Sequence, residues 1–191
     1  MSTMRKTGTH VVLLRGINVG GKNRVPMQKL REFLEGLGFA IVETYIASGN
    51  VILESDMRRD AISTRIKTAL PGPFPLDDQL LRVLVLTADE LRAIVRDRPR
   101  GFGDKPEKYH SDVIFLMGIE STEAMRVFSP SEGVDRIWAG KGVIYSERLS
   151  SQRTKSRLNR IMATPEYKSM TIRSWATTVK LLELCDATAR R

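Results

Sequence analysis

Cysteine is nearly absent from this chain: Cys185 is the only one in 191 residues. No intrachain disulfide and no cysteine cluster for a metal ion can form from a single thiol. Histidine is almost as scarce, with only His10 and His110, so a histidine-rich metal site is equally unexpected. No cofactor is implied. Long apolar runs are missing too, and a membrane span needs about 18 such residues. The first apolar run, residues 11–14, ends at Arg15 and is too short for the core of a signal peptide. By elimination, a cytoplasmic protein without a membrane partner is expected. Acidic residues are absent from the first 25 positions, which hold Arg5, Lys6, Arg15, Lys22 and Arg24.

What is present is positive charge at both ends. The formal net charge is +9. Residues 141–191 carry eleven Lys or Arg against four Asp or Glu, whereas residues 26–140 carry fifteen basic and eighteen acidic side chains. Basic ends around a slightly acidic middle fit an anionic partner if the ends meet in space, and they equally fit ordinary solubilising charge. The length suits one domain or two small subdomains.

Apolar patterning separates strands from helices. Residues 10–15, HVVLLR, form a short apolar run bounded by a glycine loop and read as a buried strand. Met27, Leu30, Phe33, Leu34 and Leu37 repeat at helical spacing after Pro26, and Gly36 and Gly38 end that helix. Residues 39–45 and 51–54 read as two strands joined by the turn Ala47-Ser48-Gly49-Asn50. Ile62, Ile66, Ala69 and Leu70 mark a second helix, ended by Pro71-Gly72-Pro73, and residues 81–86 a further strand. The order β-α-β-β-α-β is the ferredoxin-like pattern. Residues 89–96 read as a helix, and the Pro-, Gly- and charge-rich residues 97–109 as a linker. The pattern then starts again: a strand at 112–117, a short helix at 122–128, strands at 136–138 and 143–145 around Gly140-Lys141-Gly142, a basic helix at 154–162, a strand at 170–173 and a last helix at 175–185. The expected fold is α+β, with ferredoxin-like subdomains at 1–97 and 98–191.

Gly16-Ile17-Asn18-Val19-Gly20-Gly21-Lys22-Asn23 nearly spells the phosphate-binding loop G-x-x-x-x-G-K-[ST]. Asn23 replaces the hydroxyl that would hold Mg²⁺, and Pro26 moves the helix start several residues past the lysine. The hairpin after the first helix is also foreign to that topology, which disfavours a nucleoside triphosphatase. A weaker expectation survives. A loop with three glycines exposes backbone N–H groups, and Arg15, Lys22 and Arg24 add charge beside them, so Arg15, Gly16, Asn18, Gly20, Gly21, Lys22 and Arg24 are candidate anion-binding residues. The alternative is that the glycines only permit a tight turn. In a ferredoxin-like sheet the first and third strands are adjacent and antiparallel. Ser48, Gly49 and Asn50 should then meet Arg15 and Gly16 at one edge and join the site.

A second basic stretch contains Arg148, Arg153, Lys155, Arg157 and Arg160, with Leu158, Ile161 and Met162 as the apolar face of an expected amphipathic helix. It reads either as a solvated face or as phosphate contacts. Arg173 and Trp175 offer packing or base stacking, and Ser174 offers an N-cap. Lys155, Arg157, Arg173, Trp175 and Lys180 form a possible second patch. Cys185 lies among Leu181, Leu182 and Leu184 and reads as packing.

LLRGINVGGKNRVPM at residues 13–27 and TYIASGNVIL at 44–53 resemble the family named domain of unknown function 1697. The resemblance continues through SRLNRI at 156–161 and TIRSWATTVKLLEL at 171–184. It implies an α+β fold with two ferredoxin-like subdomains and no established activity. The family's Arg-Asn-Trp-Asn-Thr is Arg173-Ser174-Trp175-Ala176-Thr177 here, and its Gln before Ser-Gly-Asn is Ala47. Three functional readings follow: a binder of phosphate-bearing ligands, either nucleotide or nucleic acid; an enzyme on a small phosphorylated or carboxylated substrate using Ser48, Asn50 or Tyr45; or a protein-interaction module whose glycine loop serves only the fold.

Overall fold

A computed structural model describes residues 7–77 and 80–190, so Arg5, Lys6 and Arg191 of the basic ends lie outside the described residues. The chain divides into two compact units, Met1–Arg92 with Lys180–Arg191, and Ala93–Val179.

The first unit runs β1 (Gly8–Arg15), α1 (Met27–Gly36), β2 (Ala40–Tyr45), β3 (Asn50–Ser55), α2 (Arg59–Ala69) and β4 (Arg82–Thr87). The strands pair antiparallel in the order β2-β3-β1-β4. β1 is central, and its Val11, Val12, Leu13 and Leu14 are all buried, as a strand covered on both faces requires. On one face Val12, Leu14, Val51, Leu53 and Val85 pack against Leu30 and Leu34 of α1 and Ile62 and Ile66 of α2. The helical spacing in the sequence therefore located the core faces of α1 and α2.

α3 (Ala88–Arg96) follows β4 directly. It starts at a reciprocal cap: Thr87 Oγ1 accepts the Glu90 N–H at 3.1 Å, and Glu90 Oε2 accepts the Thr87 N–H at 2.9 Å. The second unit then builds β5 (Tyr109–Leu116), α4 (Ser121–Ala124), β6 (Asp135–Gly140), β7 (Val143–Leu149) and β8 (Met170–Ser174), with α5 (Trp175–Thr188) after it. Its sheet order, β6-β7-β5-β8, repeats the topology of the first. Ile114, Ile144, Leu158, Ile161 and Met170 lie in its core.

Two expectations change here. Residues 97–109 are not an open linker, because Phe102 is fully buried and its ring packs edge-on against Trp138, Tyr145 and Trp175. The Gly103 N–H donates to the buried Glu147 carboxylate at 2.8 Å. Residues 154–162 are not an α-helix but part of a run of 3₁₀ turns, Ser150–Lys155, Leu158–Ala163 and Pro165–Ser169. The Arg157 N–H leaves the helical ladder and donates to Asp135 Oδ2 at 2.9 Å, and Ser156 Oγ accepts the Leu158 N–H. Short hydroxyl side chains compete with helical hydrogen bonds in this way. Leu158 and Ile161, three apart, both point inward as a three-residue turn requires, and Met162 is left exposed.

Candidate functional site

The edge of the first unit where β1 ends is built by three asparagines. Asn18 closes the loop that follows β1. Its Nδ2 donates to the carbonyls of Val25 and Ala47, both at 2.9 Å, and its Oδ1 accepts the Val25 N–H at 2.8 Å. One side chain therefore ties the loop to itself and to the β2–β3 turn. Asn23 Nδ2 donates to the Gly16 carbonyl at 2.7 Å, and Asn23 Oδ1 accepts the Asp77 N–H at 3.0 Å. Asn50 is fully buried and donates to the Tyr45 carbonyl and to Ser48 Oγ. Asn18 and Asn23 both adopt left-handed φ, 53° and 49°, which asparagine tolerates better than most residues.

Between the first two asparagines the chain makes a tight hairpin. Lys22 N–H donates to the Val19 carbonyl and Asn18 N–H to the Asn23 carbonyl, both at 2.9 Å. Gly20 and Gly21 sit at the turn with φ of 57° and 76°, and two positive φ values in succession are the requirement of a type I′ turn. These two glycines therefore have a structural reason to be glycine. Gly16 has a different one: its φ is 87°, and a Cβ there would lie 2.2 Å from the Leu80 carbonyl oxygen.

The two turns meet. The Leu14 N–H donates to the Gly49 carbonyl at 2.7 Å, and Leu13 pairs with Asn50 in register. Arg15, Gly16, Ser48, Gly49 and Asn50 thus share one edge with the hairpin. Lys22 and Arg24 are exposed on it, and Arg15 lies directly opposite Arg82 across β1 and β4. Sequence reasoning missed Arg82, at the start of β4, and Asp77 and Leu80, which come from the loop before it with no pattern pointing to this edge. It also gave Asn18 and Asn50 to a ligand, whereas the structure uses their amides on the protein backbone and on Ser48.

Lys22 does not sit in a phosphate-binding loop of the triphosphatase kind. α1 starts at Met27 with Pro26 as its N-cap, so Lys22 lies in a hairpin several residues before the helix. Replacing Asn18 with alanine should lower stability by about 2 kcal/mol, because the part-buried Val25 carbonyl and N–H and the exposed Ala47 carbonyl lose their partner together. Urea denaturation checks this, and an unchanged midpoint would mean that the loop does not depend on the clamp.

The second patch separates into unlike members. Lys155 and Arg157 are exposed. Arg173 is buried, its Nη1 donates to Thr171 Oγ1 at 3.0 Å, and burial brings its pKa down to about 10. Trp175 is buried against Phe102, with the Arg98 guanidinium 5.2 Å from its ring centroid. Lys180 belongs to the other compact unit and pairs with Glu183 at 3.0 Å. Ser174 Oγ accepts the Thr177 N–H at 3.2 Å, so the serine performs the capping role that an asparagine would. Burial pushes the Cys185 thiol up to about 12, with Asp186 adding to the rise, which suits packing rather than nucleophilic chemistry.

One further cluster escaped the sequence reading. On β5 and β7, Asp112 faces His110 at 3.2 Å and Arg148 at 3.7 Å, and burial raises its carboxyl pKa against the pull of both. The only sequence signal was the His110-x-Asp112 alternation on one strand. Among the described residues no three His, Cys, Asp or Glu side chains gather as metal ligands. No helix among them is long and apolar enough to cross a membrane.

Comparison with known proteins gives a fold and a family. The chain is similar to the structure of the conserved bacterial protein SP0830 from Streptococcus pneumoniae, with 25% identity, a TM-score of 0.78, and coverage of 94% of this chain and 99% of that one. No curated protein matches the chain. The family model for the protein of unknown function DUF1697 matches residues 7–145, including both turns that form the edge, and the chain belongs to that family.

Proposed function

We propose that this edge binds a phosphate-bearing ligand, a nucleotide or a nucleic acid. The observation that supports the reading is the exposure of Lys22 and Arg24 on a frame held rigid by Asn18 and Asn23. Arg15 and Arg82 stand opposite each other across β1 and β4 on the same edge. A rigid array of cations loses little freedom on binding, so more of the electrostatic gain appears as affinity. The exposed Lys155 and Arg157 offer phosphate contacts in the other unit. The reading carries a cytoplasmic location with it, supported by the single buried thiol.

Fluorescence anisotropy with labelled oligonucleotides, and competition by nucleoside phosphates, tests this. Affinity should fall linearly in log–log terms with salt. Lys22→Ala and Arg24→Ala should each weaken binding and reduce the salt slope by about 1, the signature of one lost phosphate contact. Absence of binding to oligonucleotides and nucleotides alike at low salt would overturn the proposal.

A further inference from the structure

The same edge is also apolar. Among the large hydrophobic residues Val19 is 65% exposed, Ile46 50% and Leu80 44%. The chain brings all three to this edge. Val19 and Ile46 are each one residue from the Asn18–Ala47 hydrogen bond, and Leu80 backs onto Gly16. Val19 stands at the start of the two-glycine turn, where a Cβ added to Gly20 or Gly21 would meet nothing within 4 Å. The tip projects into open space.

Ile46 is the most telling of the three. Its φ is 48°, a left-handed conformation that a β-branched side chain adopts only under strain. The side chain is half exposed, so burial does not offset that strain. Strained residues persist where the surrounding structure holds them, and they concentrate at ligand-binding positions. Here the turn is held by Asn18 from one side and Asn50 from the other.

A free phosphate or a mononucleotide has no use for three spread aliphatic groups on a projecting edge. A polymer that offers anionic and apolar surface side by side does. We infer that the partner is single-stranded nucleic acid, with Lys22 and Arg24 on its phosphates and Val19, Ile46 and Leu80 against its unstacked bases. This rests on the phosphate-binding reading of the same edge. Charge complementarity selects the occupant: the chain carries a net charge of +9, which matches a long polyanion. Duplex bases are stacked away from such contacts, whereas a single strand presents their faces.

Two substitutions separate this inference from the broader proposal. Ile46→Asn removes the apolar group and supplies a residue that tolerates left-handed φ. It should raise the melting temperature while weakening single-strand binding about fivefold, as expected when the exposed half of an aliphatic side chain loses its apolar contact. Val19→Ser should weaken it by a similar factor. Neither should change the salt slope, since no phosphate contact is lost. The measurement is anisotropy with a labelled single strand, its duplex, and polyglutamate as competitor. If both variants bind the single strand as the parent does while Lys22→Ala still weakens it, the base contacts are refuted and the phosphate site stands. If the duplex binds as tightly as the single strand, or polyglutamate displaces the strand at equal charge, the inference is overturned in favour of a duplex or of an acidic protein segment. Absence of any polyanion binding overturns the inference, and the phosphate-binding reading falls with it only if nucleoside phosphates also fail to bind.

Discussion

Replacing Phe102 with alanine should cost about 3–5 kcal/mol of stability. The ring is 0% exposed and sits at 5.1 Å from Tyr145, 5.2 Å from Trp175 and 6.1 Å from Trp138, with interplanar angles of 70°, 75° and 84°. Edge-to-face pairs add about 0.5–1.5 kcal/mol each beyond the area they bury. Truncation would remove all three at once and leave a cavity that the rigid neighbours cannot fill. Tyr145 is anchored by its hydroxyl, which donates to the Ile94 carbonyl at 2.6 Å, and Trp175 opens α5. Phe102→Leu should lose roughly half as much, since it keeps most of the volume. Guanidinium denaturation of the three proteins provides the comparison. A loss below about 1 kcal/mol for the alanine variant would show that residues 97–108 lie outside the cooperative core of the second unit.

Gly16→Ala should destabilise by about 3 kcal/mol, and Gly20→Ala by only about 1 kcal/mol. Both positions have positive φ, 87° and 57°, so both carry the strain of a left-handed alanine. Only Gly16 adds a collision, because the new Cβ would lie 2.2 Å from the Leu80 carbonyl oxygen and 2.6 Å from its carbon. Backbone atoms cannot rotate away as a side-chain end can. Relief would require either β1 or the chain at Leu80 to move, and β1 is paired on both sides. Thermal unfolding of the two variants decides the matter. Equal shifts would mean that the chain at Leu80 yields freely, and the edge would then lack the rigidity argued for it. The contrast also sorts the loop's glycines by role: Gly20 and Gly21 shape an exposed turn, whereas Gly16 lets two parts of the backbone touch.

Strands and helices were legible because their signals are local and periodic. The run HVVLLR announced a central strand, and Leu30, Leu34, Ile62 and Ile66 announced two core-facing helices. The β-α-β-β-α-β order then restricted the pairing, and with it the approach of Gly49 to Leu14. That is why the meeting of the two turns could be expected from residues 35 positions apart in the chain. The basic stretch misled because its charges and apolar residues have helical spacing, while the decisive interactions do not. Asp135, on a distant strand, draws the Arg157 N–H out of any helical ladder. Residues 97–109 misled for a similar reason: proline, glycine and charge describe a loop's surface, and one phenylalanine among them fills a core.

By itself the sequence determined the fold class, the order of elements, the excess of positive charge and the place of the glycine loop. Each of these follows from composition or from the spacing of neighbours along the chain. Only the tertiary structure decided what the loop's residues do. Asn18 and Asn50, by type fit to bind a ligand, turn their amides to the protein itself. Asp77 and Leu80 arrive from a separate loop, and Ile46 is held strained and exposed. The physical reason is that a polar side chain bonds with whatever the fold brings within about 3 Å, and such contacts between distant segments leave no period in the sequence.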